Sequence, residues 1–126
     1  MNILVVDDEK SVLELIKDVL HEYNYTVDMV ADGNTCLQMC HEHPYDLIII
    51  DILLPDVDGC EIIKTLKKEY AHTKIIAISG GGQIDATHYL RLARMLGADH
   101  VLMKPFAIDA LLFMVAFVED ELNNAA

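Results

Sequence analysis

Four short apolar runs in this chain each end in a polar residue of a type that can do chemistry. ILVV ends at Asp7 and Asp8, LIII at Asp51, IIAI at Ser79 and VLM at Lys104. In an open α/β sheet, ligands bind beyond the carboxyl ends of the strands, at the point where the strand order reverses. With strand order 2-1-3-4-5 that point lies between the first and third strands, which sets Asp7, Asp8 and Asp51 side by side. Three carboxylates at one spot repel one another and are tolerated when a divalent cation neutralises them. Mg2+ suits such a site, because it takes oxygen ligands, binds through one or two carboxylates and keeps waters that phosphate oxygens can replace. A carboxylate is also a competent nucleophile that forms a labile acyl phosphate. Mg2+ and Lys104 can then stabilise charge on the transferred group.

The elements that must hold these residues follow from the pattern of apolar positions. Residues 3–6, 47–50, 75–78 and 101–103 are short apolar runs, too short for helices and rich in β-branched side chains, so they read as buried strands. Residues 25–30 alternate and read as a further strand. Strands apolar on both faces imply a parallel sheet covered by helices. Between them lie helical stretches. The first opens near Ser11, with Ser11 and Glu14 as a capping box, an apolar face of Val12, Leu13, Leu15, Ile16, Val19 and Leu20, and a stop at Asn24. The second follows the Asp32-Gly33 turn, capped by Asn34, and runs to about His43, where Pro44 prevents continuation. A loop over 55–59 precedes a third helix over 61–70. The fourth spans 85–96 with Gly97 as its C-cap, and the fifth spans 108–122. Five β-α units in strict alternation predict a doubly wound five-stranded parallel sheet with right-handed crossovers, in one domain over 1–126.

The runs ILVVDDE, DLIIIDILLPDVDG, IIAISG and GADHVLMKPF occur in that order, each at a predicted strand end. In this the sequence resembles the CheY-like receiver domains of response regulators over essentially its whole length. The resemblance implies the flavodoxin-like (βα)5 fold and a phosphoryl group accepted on Asp51. It implies that Asp8 binds Mg2+ directly, Asp7 directly or through water, and that Asp51 and the Leu53 carbonyl complete the ligands. Lys104 would pair with Asp51 and then with the phosphoryl oxygens, Ser79 would donate to one of those oxygens, and Pro105 would be the cis-proline after the lysine. The implied donor is the phosphohistidine of a sensor histidine kinase or a histidine phosphotransfer protein. The chain is then a phosphoacceptor rather than an enzyme, either a stand-alone receiver or one cut from a longer regulator.

Three features depart from the family pattern. Val101 stands where a Tyr or Phe is usual, three residues before the lysine, so output is expected to rely on the 79–82 loop and the helix after it. Leu53 and Gly81, at positions that influence water access to the phosphoryl group, have no polar side chain. Residues 110–118 are apolar all round for more than two helical turns, whereas a surface helix shows a polar stripe; an exposed patch for a homodimer or an effector is expected there. A phosphorylation-independent docking module is the rival reading that Val101 and this helix favour. A Mg2+-dependent hydrolase with an aspartyl nucleophile is a third, for which the chain offers no obvious substrate cap.

The remaining composition narrows the field. A formal net charge of −12 argues against direct contact with nucleic acid or an anionic membrane, which needs clustered Lys and Arg. No apolar run approaches bilayer length, and the N-terminus lacks a basic region and cleavage site, so a cytoplasmic protein is expected. Cys36, Cys40 and Cys60 read as small buried hydrophobes. The six histidines show no metal-ligand spacing. Gly80, Gly81 and Gly82 lack the lysine and hydroxyl of a P-loop and read as a mobile loop beside the site.

Overall fold

A computed structural model describes residues 1–80 and 86–124. The chain runs β1 (Asn2–Val6), α1 (Lys10–Glu22), β2 (Thr26–Val30), α2 (Gly33–Glu42), β3 (Leu47–Asp51), α3 (Gly59–Glu69), β4 (Lys74–Ser79), α4 (Ala86–Met95), β5 (His100–Met103) and α5 (Ile108–Asn124). The strands form one sheet in the order β2-β1-β3-β4-β5, and every neighbouring pair is parallel. The sheet order, the alternation and the flavodoxin-like architecture expected from the sequence are all present.

Alternation along the strands divides the core into two layers. Leu4, Val6, Ile48, Ile50, Ile75 and Ala77 pack with Cys36 and Cys40 of α2, Ile62, Ile63 and Leu66 of α3, and Ala93 of α4. Ile3, Val5, Leu47, Ile49, Ile76 and Ile78 point the other way, onto Leu13, Ile16 and Leu20 of α1 and Leu111, Val115 and Val118 of α5. Because helices cover both faces, the central strands carry no polar alternation. Cys60, like Cys36 and Cys40, is a free buried thiol.

Helix starts differ from the sequence expectation in three places. Residue 9, not Ser11, is the N-cap of α1, and no side chain caps the helix. Ser11 therefore lies inside the helix and forms no capping box. The Asp7 carboxylate takes the Glu9 N–H at 2.9 Å, so the chain turns into the helix directly from the strand end. In α2 the cap is Asp32, accepting from Thr35 N–H at 2.7 Å, which places Asn34 in the first turn. Asp58 caps α3, accepting from Cys60 N–H at 2.9 Å, so that helix begins at Gly59. Leu15, expected in the apolar face of α1, is half exposed at 49%. Asn24 ends α1 as expected, in the left-handed region at φ 66°. The fourth helix is observed from Ala86, and its expected start at Asp85 lies outside the described residues, as do Gly81 and Gly82 of the expected mobile loop.

Gly59 sits where the chain returns against the end of β3, donating its N–H to Ile52 O at 3.1 Å. A Cβ there would overlap the Ile52 backbone, 2.6 Å from its carbonyl oxygen and 2.8 Å from its carbonyl carbon. Backbone cannot rotate away as a flexible side chain can, so Gly59→Ala should cost about 2–4 kcal/mol, in the range of severe overpacking. Urea unfolding measures this, and an unchanged midpoint would show that the return loop yields freely.

Candidate functional site

The carboxyl ends of β1, β3, β4 and β5 meet at one edge of the sheet, because adjacent parallel strands end in register. Val6 pairs with Ile50, Asp51 with Ile78, and Ser79 with Met103. The next residues out from β1 and β3 are thereby brought together. One carboxylate oxygen from each of Asp7, Asp8 and Asp51 lies within 4.8 Å of the others, and this is the only cluster of potential metal ligands among the described residues. Asp7 is fully buried and Asp51 is 5% exposed, while Asp8 is exposed at the mouth.

Each buried carboxylate is held by both oxygens. Asp7 Oδ1 accepts from Glu9 N–H at 2.9 Å and Oδ2 from Lys104 Nζ at 2.7 Å. Asp51 Oδ1 accepts from Leu53 N–H at 2.9 Å and Oδ2 from the same Lys104 Nζ at 2.8 Å. Glu9 Oε1 stands 3.5 Å from that ammonium group. One lysine thus serves as counter-charge to a group of acids and cannot neutralise all of them. Burial lifts the Asp7 carboxyl above its ordinary value, and the hydrogen bonds from Lys104 and from Glu9 N–H only partly offset it. Burial also opposes the charge on Lys104, but the hydrogen bonds to Asp51 and Asp7 outweigh it and push its pKa up. The lysine is therefore a permanent cation at neutral pH.

The Lys104–Pro105 peptide is cis, as the family resemblance implies. Gly80 crosses directly over Lys104. A Cβ at residue 80 would overlap the Lys104 carbonyl oxygen and stand 2.7 Å from its backbone nitrogen. A cavity of about 210 Å3 opens above the acids, lined by Asp8, Glu9, Asp51, Leu53, Gly80 and Lys104. Glu9 is a site residue that the sequence pattern did not single out; its signal was slight, since it merely continues the Asp7-Asp8 run. Gly80, expected in a loop beside the site, lines the cavity itself. Ser79 lies at the end of β4 as expected but is not part of the cavity wall. Its hydroxyl is fully buried and has no hydrogen-bond partner among the described residues.

The donor set fits a small hard cation. It consists of carboxylate oxygens gathered within 4.8 Å of one another, the ligand type that Mg2+ prefers. Among the described residues no histidine or cysteine joins them. The arrangement combines a buried carboxylate pinned in one orientation, neighbouring acids that a cation could bridge, a fixed ammonium group and an open approach. These are the parts that phosphoryl transfer requires, since that reaction depends on positioning and charge neutralisation.

The chain as a whole is similar to known proteins. Residues 3–116 match the family described as response regulator receiver domain. The chain is 36% identical over 118 residues to the response regulator ArlR of Staphylococcus epidermidis, covering 93% of this chain and 52% of that one. It is 36% identical over 115 residues to the transcriptional regulatory protein CusR of Escherichia coli, covering 91% and 49%. It therefore spans about half the length of the curated relatives it matches. Among solved structures, a Francisella response regulator receiver domain superposes with a TM-score of 0.85 at 31% identity, covering 95% of this chain and 97% of that one. The chemotaxis response regulator CheY4 of Vibrio cholerae does so with a TM-score of 0.83 at 27% identity, covering 93% and 97%.

Proposed function

The chain belongs to the response regulator receiver domain family, and from that premise we propose that residues 1–126 form one receiver that accepts a phosphoryl group on Asp51 with the help of Mg2+. The observation that carries the reading is the state of Asp51, buried at a strand end, hydrogen-bonded through both oxygens and facing an open cavity. Its carboxylate attacks phosphorus, the bond from phosphorus to the donor nitrogen of a phosphohistidine breaks, and an acyl phosphate remains. A carboxylate needs no base for this step. Asp7, Asp8, Asp51 and the Leu53 carbonyl are the groups that would hold Mg2+. When bound, the ion neutralises and polarises the phosphoryl oxygens.

Lys104 releases Asp51 Oδ2 and pairs with a phosphoryl oxygen. Ser79 supplies a second contact. A buried hydroxyl without a partner costs roughly 1–3 kcal/mol, so a phosphoryl oxygen within reach would draw the hydroxyl toward it. The protein is then a phosphoacceptor that turns over no external substrate beyond slow loss of its own phosphoryl group. Its partners are a sensor histidine kinase or a histidine phosphotransfer protein upstream and an effector downstream, in the cytoplasm and without direct contact to nucleic acid. No helix among the described residues is long and apolar enough to cross a membrane. The test is intact mass after incubation with Mg2+ and acetyl phosphate. A gain of one phosphoryl group is expected, and no gain from this donor or from a phosphohistidine protein would overturn the proposal.

A phosphorylation-independent docking module is the second reading. It is favoured by Val101, which is partly buried against the core where an aromatic is usual, and by α5. The apolar run of α5 splits into two faces. Leu111, Val115 and Val118 are buried, while Phe113 is 74% and Phe117 48% exposed. In either reading we assign the exposed face to an effector or a second copy of the chain. Phe113→Lys with Phe117→Lys should weaken that association by about tenfold or more, as loss of aromatic anchors does. Sedimentation or effector pull-down checks this, and unchanged association would remove α5 from the interface.

A further inference from the structure

The loop between β3 and α3 carries Leu53, whose carbonyl is one of the proposed cation ligands, and any role of this loop in cation binding rests on that reading. The base of the loop is closed by neighbours. Leu53 pairs antiparallel with Asp58, and Gly59 N–H donates to Ile52 O at 3.1 Å. The apex, residues 54–57, is held in another way. Asp56 accepts the N–H of Gly33 on Oδ1 at 2.9 Å and the N–H of Asn34 on Oδ2 at 3.0 Å. These belong to the first turn of α2, whose N–H groups have no intrahelical acceptor and carry the positive end of the helix dipole.

Helix α2 already has its own cap in Asp32, which takes Thr35 N–H. The Asp56 bonds are therefore not what starts the helix. For the loop, Leu54 and Val57 also pack against the core, but these are its polar anchor: among the described residues no other hydrogen bond or ion pair joins residues 54–57 to another element. Gly33 permits the close approach. A Cβ there would overlap Ile62 Cδ1 and stand 3.2 Å from Val57 Cβ. The two N–H donors also hold the Asp56 carboxyl below the usual carboxylate range, so the anchor stays charged at any pH where Mg2+ binding is measured.

We propose that Asp56 is a positioning residue of the cation site: by tying the loop apex to the N-terminus of α2, it holds the Leu53 carbonyl where it completes the ligand set. Residues that orient metal ligands typically alter affinity 10–100-fold when removed, and this anchor is exposed, so about a three- to tenfold loss is expected. Calorimetric titration with Mg2+ alone, at constant ionic strength, tests it without any phosphoryl donor. Asp56→Ala should raise the dissociation constant by that factor, and Asp56→Asn, which keeps one acceptor oxygen, by less. Asp32→Ala is the control, since it removes both a negative charge and an α2 cap while leaving the loop anchored; it should leave Mg2+ affinity within about twofold, even if the melting temperature falls. Unchanged affinity in Asp56→Ala, or an equal loss in Asp32→Ala, would overturn the positioning role. Failure of the parent chain to bind Mg2+ would instead remove the cation reading on which that role rests, and the two failures are thereby distinct.

Discussion

Asp51→Asn should take up no phosphoryl group, giving an unshifted intact mass under conditions that load the parent chain with one. The amide is a far poorer nucleophile than a carboxylate, because its nitrogen lone pair is delocalised and its oxygen carries no full charge. The substitution is nearly isosteric, so the loss reports chemistry rather than collapse. The introduced amide can still accept the Leu53 N–H through its oxygen, as Asp51 does at 2.9 Å. What changes is the other atom. An NH2 group would face the Lys104 ammonium where Oδ2 now accepts at 2.8 Å, so two donors meet and the lysine moves toward Asp7. Far-ultraviolet circular dichroism should be unchanged. A phosphoryl gain in the variant would mean that another carboxylate of the cluster, Asp7 or Asp8, is the acceptor.

The second large effect is on stability. Lys104→Met removes the one cation that both buried carboxylates share, at 2.7 Å from Asp7 and 2.8 Å from Asp51. The methionine fills most of the volume of the lysine stem, so packing is largely kept and the electrostatic loss is isolated. Leaving a buried charge without its partner costs about 3 kcal/mol in comparable sites, and that is the expected loss at neutral pH without divalent cation. Two further measurements separate this cause from others.

Millimolar Mg2+ should restore part of the stability, because an ion held by the folded acids, as proposed above, and not by the unfolded chain shifts the balance toward the folded state. The dependence on pH is the other. Burial already raises the Asp7 carboxyl above its unfolded value of 3.8, and loss of the lysine removes an influence that holds it down. A carboxyl with a raised native pKa binds its proton in the folded state first. Stability therefore increases as pH falls through the native value and decreases as pH rises through it. The gap between variant and parent should accordingly narrow at mildly acidic pH and be widest at neutral pH. Equal losses at both pH values with no response to Mg2+ would show that Lys104 acts by packing alone.

The sequence proved legible where the physics is local or periodic. Strands such as LIIID are apolar on both faces because both faces are covered, and no other placement accommodates such a run. The change from apolar to polar at Asp7, Asp51, Ser79 and Lys104 marks the strand ends directly, and parallel strands in register then carry those ends to one edge. Helix starts were less legible, because several nearby residues can cap. Between Asp32 and Asn34, or between Ser11 and the strand end at Asp7, the choice depends on which side chain reaches an N–H in three dimensions. The nine apolar residues of α5 carry no periodic signal, so which side faces Val5 and Ile78 and which leaves Phe113 in solvent could not be read from them.

By itself, then, the sequence determined the alternating β-α architecture and the polar residues at the carboxyl edge of its sheet, because burial and strand length are written in the order of side-chain types. Tertiary structure alone decided how those residues are joined. Lys104 reaches Asp7 across 97 positions of the chain, Asp56 reaches Gly33 across 23, and Gly80 lies over Lys104 so closely that no side chain fits. Such contacts depend on distances and angles between elements, which are set by how the whole core packs and leave no mark in the local pattern of residues.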